Sequence, residues 1–383
     1  MSTNYDQSEV ELFRENVRRF ITEEITPRYE GWEKDSKIPR ELWNKIGEAG
    51  FLCVDTPEEY GGFGADFIFS ATILEEFSRA GCAALASNIS VHSDIVAPYI
   101  LNAGTEEQKQ KYLSKMVSGE CIGAIAMTEP GAGSDLQGIR TNAKPDGDDY
   151  IINGSKTFIT NGQHCDLVIT AVRTNMEVSG AKGTTLFAVE TSSEGFNRGR
   201  NLEKIGQHAA DTSELFFEDV RVPASAIVGG LDAGFKILMT ELPRERLVLA
   251  IGAIAACEGM LDWTIEYTQE RKAFRQPISS FQNTRFKVAE MKTDIRANRS
   301  FTNECLALFS EGKLDAETVS MLKLSTTELQ GRVADDCLQL FGGYGYMTEY
   351  PIARAFVDAR IQRIYGGTSE IMKEIIGRAI FGR

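Results

Sequence analysis

The run from Ala126 to Asp135, AMTEPGAGSD, gathers more chemistry than any other segment of the chain. Thr128 and Ser134 place two hydroxyls on one short curve, and Gly131 and Gly133 let backbone N–H groups come close to a partner. It follows an apolar, strand-like stretch, Ile122 to Met127. Such a curve suits a cofactor rich in carbonyls or phosphates, although an ordinary β-turn would carry the same glycines. Three further long blocks accompany it: DTSELFFEDVRVP (Asp211 to Pro223), ERKAFRQPISSFQ (Glu270 to Gln282) and IYGGTSEI (Ile364 to Ile371). Other chemistries find little support. The histidines at 92, 164 and 208 form no triad or metal cluster, and G-x-S-x-G is absent. The seven cysteines show no C-x-x-C pair, so a zinc site is not expected.

The elements that must position these blocks fall into three stretches. Residues from about Ser8 to Met116 read as helices, opened by a capping-box form, Ser8-Glu9-Val10-Glu11, and separated by prolines and the YGGFG loop. From about Ile122 to Val228 short β-rich runs take over: CIGAIAM, YIING, KTFIT, LVITAV, TTLFAV and ELFFEDVRV. Asp146-Gly147 and Asn153-Gly154 are hairpin dipeptides between them. After Gly234 the helical period returns, with Val288, Met291, Ile295, Thr302, Cys305 and Phe309 along one face of a long helix. No G-x-G-x-x-G and no strand–helix alternation occur, which removes a Rossmann reading. The expected fold class is α+β: an N-terminal helical domain (1–120), a central antiparallel β domain (121–231) and a C-terminal helical domain (232–383).

Composition is that of a globular protein, 42% hydrophobic and 25% charged. A net charge of −14 argues against nucleic-acid binding, because neutralising phosphates needs clustered cations. No apolar run approaches the ~20 residues of a membrane span, and the N-terminal MSTNYDQSEV lacks the form of a secretory or transit segment. An odd number of scattered cysteines fits a reducing compartment. The expected location is the cytoplasm, or the mitochondrial matrix if a transit peptide has been removed.

The four blocks, in this order and at these separations, closely resemble the acyl-CoA dehydrogenases, FAD-dependent flavoproteins, across almost the whole chain. The resemblance is strongest to long-chain and isovaleryl-type members. It implies an N-terminal helical domain, a middle β-barrel and a C-terminal four-helix bundle. It also implies α,β-dehydrogenation of an acyl-CoA to a trans-2-enoyl-CoA, with electrons leaving through an electron-transferring flavoprotein. Relatives assemble as tetramers, dimers of dimers, and the same is expected here. Many members carry the catalytic glutamate directly after the Ile-Tyr of the last block, where this chain has Gly366. Long-chain and isovaleryl-type members also have glycine there, and set the base in an E-R-L motif at the start of a helix. Leu242-Pro243-Arg244-Glu245-Arg246-Leu247 matches that motif. The resemblance thus implies Glu245 as base, the Gly366 backbone N–H as a donor to the thioester carbonyl, and Arg246 as a contact to the CoA moiety. By spacing alone Glu245 would equally be a first-turn carboxylate of a helix begun at Pro243, and Arg246 a solvated cation.

Flavin contacts follow by resemblance. Met127, Thr128, Gly133 and Ser134 match positions near the isoalloxazine and pyrophosphate, with Ser134 also near the substrate's pantetheine. Phe158 and Thr160 match the residues covering the ring, with Phe158 where tryptophan is common. Arg271, Phe274, Gln282, Gln339 and Gly343 match positions that reach the FAD of a neighbouring subunit, and Thr368 and Glu370 match contacts from the last block. Leu242 and the stretch Ile95 to Leu101 are expected to shape the acyl pocket, for a straight medium-to-long chain or, alternatively, a branched short-chain or terpenoid one. Two departures stand out: Arg275 where the family's turn usually has glycine, and Gln207-His208-Ala209-Ala210 before Asp211. Rival readings are an acyl-CoA oxidase, which usually carries a further C-terminal domain, a nitroalkane oxidase, which uses aspartate as base, and a redox-inactive binding or assembly relative.

Overall fold

The computed structural model describes residues 6–382; Met1–Tyr5, part of the stretch inspected for a targeting segment, and Arg383 lie outside the described residues. Helices come first: α1 (Gln7–Phe20), α2 (Thr26–Asp35), α3 (Glu41–Glu48), α4 (Phe67–Arg79), α5 (Ala83–Ser90), α6 (Ala97–Ala103) and α7 (Glu106–Val117). Helix α1 is capped by Asp6, whose side chain accepts from the Ser8 N–H, so the Ser8 capping box is replaced by an aspartate two residues earlier. A π-helical segment, Val91–Val96, joins α5 to α6 and carries Val91 and Ile95 along the wall of a large cavity.

The β domain contains β1 (Gly123–Ala126), β2 (Asn142–Asp146), β3 (Asp149–Thr160), β4 (Leu167–Arg173), β5 (Thr184–Glu190), β6 (Phe196–Asn201), β7 (Thr212–Pro223) and β8 (Ile227–Val228). They form one eight-stranded sheet in the order β6-β7-β3-β2-β4-β5-β8, with β1 on β4. Pairing is antiparallel except for β1 on β4 (Gly123 opposite Leu167) and a single β2–β4 contact, Asn142 opposite Arg173. Asp146 and Asp149 close the hairpin around Gly147, as expected. Asn153-Gly154 makes no hairpin. It lies within β3, where the register shifts and Gly154 takes φ +148°; a Cβ there would meet Thr141 Oγ1 at 2.5 Å. A bulge, not a turn, uses this glycine. The buried face of the sheet includes Ile152, Val168, Val172, Phe187, Val189, Leu215 and Phe217.

The C-terminal helices are α8 (Gly234–Glu270), α9 (Gln282–Ser310), α10 (Ala316–Phe341), α11 (Pro351–Asp358) and α12 (Ser369–Phe381), with a small hairpin, β9 (Lys272–Ala273) and β10 (Gln276–Pro277), between α8 and α9. By length and composition α8 could cross a membrane, but most of its apolar window is buried inside the protein. It packs on α4, α9 and α10, with Leu247, Val248 and Ile251 in one core and Ile254, Cys257, Met260 and Leu261 in another. Pro243 does not start this helix, as the sequence had suggested; it sits inside it, nine residues after Gly234. Lacking an N–H, it leaves the Met239 carbonyl without its helical donor. Burial of α8 on several sides outweighs that local cost, so Glu245 belongs to the helix interior and not to a first turn.

Candidate active site

A cavity of about 780 Å³ opens where α5, the π-helical segment, β1, β3, α8 and the loop before α12 meet. Its lining brings together Met127, Thr128, Gly133, Ser134, Phe158, Thr160, Leu242, Glu245, Arg246, Gly366 and Thr368. These residues are separated by up to about two-thirds of the chain and arrive on the loop after β1, on β3, on α8 and on the loop before α12. Of the stretch Ile95 to Leu101, only Ile95 reaches the cavity, because Leu101 faces the N-terminal core instead.

Glu245 is 4% exposed, and the Tyr99 hydroxyl donates to its Oε1 at 2.8 Å. Burial pushes its carboxyl from the ordinary 4.5 up to about 7; the Tyr99 bond and nearby Arg246 oppose that rise, and Glu241 one turn earlier adds to it. Glu241 itself accepts from Asn102 Nδ2 at 3.1 Å and is also raised, chiefly by burial. A carboxylate poised near neutrality inside a largely apolar cavity is suited to accept a proton from a weak carbon acid. Arg246 is buried, not solvated: Nη1 lies 3.4 Å from Ser320 Oγ, and Nε has no partner among the described residues. Arg244 is turned to other partners, with Nη2 at 2.6 Å from Asp55 and 3.5 Å from Asp94.

Gly366 brings no side chain to the cavity that Glu245 lines. Its φ of +63° is a left-handed conformation, and a Cβ there would come within 2.2 Å of Leu249 Cδ1. Leu249 lies one helical turn beyond Glu245, on the same face. A side chain at 366 would therefore carry backbone strain and would push aside the tip of the Leu249 side chain. The Gly366 N–H donates to no described residue and remains available to a ligand.

The Ala126–Asp135 curve is both a turn and a wall. Glu129 and Ala132 exchange backbone hydrogen bonds of 3.0 and 3.1 Å around Pro130-Gly131, and Gly133 and Ser134 then line the cavity. Two residues not singled out from the sequence anchor it. Lys156 Nζ, fully buried, donates to the Met127 carbonyl at 3.0 Å and to Glu129 Oε1 at 2.8 Å. Glu129 also accepts from the Arg140 and Thr141 N–H groups; burial acts to raise its carboxyl, but Lys156 and these donors hold it below its ordinary value. The signal was a lysine and a glutamate inside two otherwise apolar or small-residue blocks. Tyr99 left no such signal, since an isolated tyrosine at helical spacing reads as core. The Asp211 block proves structural here: its buried carboxylate accepts from Asn88 Nδ2, the Gln163 N–H and His164 Nδ1, tying α5 to the sheet.

The residues present fit FAD. Phe158 takes φ +60° at a register shift in β3 and is 67% exposed, presenting an aromatic face at the cavity. Hydroxyls of Thr128, Ser134 and Thr160 line the same wall, and open space surrounds the position where Gly133 would carry a Cβ. The remaining expected contacts lie elsewhere. Arg271 and Gly343 line a separate concavity of about 530 Å³ with Tyr344, over whose ring the Arg271 guanidinium sits at 5.2 Å. Phe274 is 90% exposed, and Gln282, Gln339 and Glu370 are exposed outside the large cavity. Thr368 reaches the cavity and caps α12, its Oγ1 accepting from Ile371 N–H at 3.3 Å.

Family models for the acyl-CoA dehydrogenase N-terminal, middle and C-terminal domains match residues 7–120, 124–220 and 232–381. The long-chain specific acyl-CoA dehydrogenase of Rattus norvegicus mitochondria is 52% identical over 97% of this chain and 86% of its own. Isovaleryl-CoA dehydrogenase of Pongo abelii mitochondria is 37% identical over 96% of this chain and 87% of its own. A crystal structure of an acyl-CoA dehydrogenase from Geobacillus kaustophilus superposes with a TM-score of 0.96 at 48% identity, covering 99% of this chain and all of the other. The chain belongs to the acyl-CoA dehydrogenase family, FAD-dependent oxidoreductases that act on CH–CH bonds.

Proposed function

We propose that this acyl-CoA dehydrogenase oxidises straight medium-to-long-chain acyl-CoA thioesters in β-oxidation, with Glu245 as the base. The observation that carries the reading is the buried Glu245 carboxylate, raised to about 7 and facing the same cavity as the free N–H of Gly366. Glu245 takes the α-proton while the C–H electron pair moves toward the thioester oxygen, which the Gly366 N–H stabilises as charge builds there. Bound FAD supplies the acceptor for the hydride that leaves the β-carbon. The α,β double bond forms as these two bonds break, and Glu245 ends protonated. Met127, Thr128, Gly133, Ser134, Phe158, Thr160 and Thr368 hold the cofactor in this reading, and Ser134, Leu242 and Arg246 hold the substrate.

The chain-length assignment is supported by the cavity wall. Ala83, Ala86, Ser87 and Ser90 present one face of α5, and Gly252 and Ala256 stand across from it on α8. Small side chains on both sides leave room for an extended tail. Arg271, Phe274, Gln282, Gln339 and Gly343, exposed and away from Glu245, would meet the FAD of a neighbouring subunit in a tetramer built as a dimer of dimers, and Glu370 would join Thr368 as a cofactor contact from the last block. Electrons pass to an electron-transferring flavoprotein, and the chain divides into domains 1–120, 121–231 and 232–383. Seven buried, unpaired thiols support a reducing compartment, the cytoplasm or the mitochondrial matrix.

The test is anaerobic mixing of the FAD-loaded protein with acyl-CoAs from isovaleryl to palmitoyl, followed by flavin absorbance. Rapid bleaching by the longer straight chains is expected, and Glu245→Gln should keep FAD while losing bleaching by a factor of about 10³ or more. Bleaching by isovaleryl-CoA alone would replace the substrate assignment, and normal turnover in the variant would remove the base assignment.

A further inference from the structure

Lys323 on α10 is fully buried, yet no carboxylate oxygen among the described residues lies within 4.0 Å of its Nζ. Its hydrogen-bond partner is the carbonyl of Gly367, at 2.7 Å. Moving an ammonium out of water costs several kcal/mol unless an opposite charge compensates it. The charged groups whose fields act on it come from three elements: Arg246 on α8, Glu328 further along α10, and Glu370 on α12. Glu328 is occupied, accepting from Ser369 Oγ at 2.6 Å and from Arg363 at 3.3 Å, and Glu370 is exposed. Arg246, the neighbour on the cavity side, is itself a buried cation whose Nε has no partner. Two buried cations therefore stand near the Gly366-Gly367 turn: Arg246 has Glu245 beside it, whereas no carboxylate pairs with Lys323. Burial and Arg246 hold the Lys323 ammonium down at about 8, so it remains mostly charged at neutral pH.

We propose that Lys323 is a positioning residue of the dehydrogenation: its ammonium grips the Gly367 carbonyl, holds the Gly366 N–H toward the cavity and, with Arg246, keeps positive potential where the thioester oxygen gathers charge. As the α-proton leaves, the negative charge moves from Glu245 to the thioester oxygen, toward the ammonium that has no carboxylate of its own. Such a field strengthens the transition state more than the bound ground state. The inference rests on the roles given above to Glu245 and Gly366.

The test uses a 3-thia-acyl-CoA, in which sulfur replaces the β-carbon, so that the α-proton can leave but no hydride can follow. The enolate formed beside oxidised flavin gives a long-wavelength charge-transfer band, and its pH titration reads the acidity of the bound α-proton. Wild type, Lys323→Gln and Lys323→Met are compared as FAD-loaded proteins; glutamine keeps a donor for the Gly367 carbonyl and removes only the charge. The expected result for Lys323→Gln is retained FAD, a band midpoint moved up by about one pH unit or more, and kcat down at least about tenfold with KM within about threefold. Lys323→Met should show a shift at least as large. An unshifted midpoint in Lys323→Gln overturns the proposal. Loss of FAD in that variant also overturns it, by making Lys323 a strut and not a source of field. A wild-type protein that forms no band with any chain length overturns the Glu245 and Gly366 reading, and this inference with it.

Discussion

Replacing Glu245 by glutamine should stabilise the protein at alkaline pH while abolishing its turnover. The carboxyl rises from an ordinary 4.5 to about 7 on folding, chiefly by burial. Between those values the folded state binds a proton that the unfolded state has released, so stability falls as pH rises through that window. At about 1.4 kcal/mol for each tenfold change in proton affinity, the ionised side chain is about 3 kcal/mol less favourable folded than unfolded above pH 7. At pH 5.5 the same linkage leaves about 1.4 kcal/mol, and below pH 4.5 nothing. Glutamine carries no charge at any of these values and can still accept the Tyr99 hydroxyl through Oε1. With an unfolding entropy of roughly 2 cal/mol/K per residue, about 3 kcal/mol amounts to an increase of about 4 °C in the melting midpoint at pH 8.5, and about half that at pH 5.5. Thermal melts of both FAD-loaded proteins at these two pH values read the difference directly. A variant that melts at or below wild type at pH 8.5, or an advantage independent of pH, would refute the claim that burial holds Glu245 near neutrality.

Two further outcomes follow from local geometry. Phe274 and Arg275 both adopt left-handed backbone (φ +51° and +70°) in the β9–β10 turn, so Arg275→Gly should raise the unfolding free energy by about 0.5–1 kcal/mol; a lower melting midpoint would show that the arginine side chain contributes more than its backbone costs. Val91 projects from the π-helical segment into the cavity, so Val91→Phe should lower kcat/KM for palmitoyl-CoA at least about tenfold while sparing short chains, and equal losses across the chain-length series would place the acyl tail elsewhere.

Much of the architecture was legible from local pattern. Periods of 3.6 and 2 separate the helical ends from the β-rich middle, and Asp146-Gly147 marks its hairpin because both the turn and the dipeptide are local. Strands β2 (NAKPD) and β6 (FNRGRN) escaped notice, since their largely exposed residues need no apolar alternation and owe their extension to paired neighbours. Asn153-Gly154 and Pro243 carried clear local signals that tertiary structure overrode: a sheet already paired on both sides turned the first into a bulge, and a helix buried among its neighbours continued through the second. The glycine at 366 and the glutamate at 245 were visible as residue types through family resemblance. That one takes a left-handed backbone against the Leu249 side chain, and that the other is raised toward neutrality by burial and Glu241 against Tyr99 and Arg246, depends on elements that meet only in the folded chain. The same holds for Lys323, whose sequence neighbours give no hint of burial or of the carbonyl it grips. Sequence thus determined which chemistry the chain can carry; long-range packing decided its proton affinities, its open donors and the room left for substrate, because dielectric, field and steric clash are properties of neighbours distant in sequence.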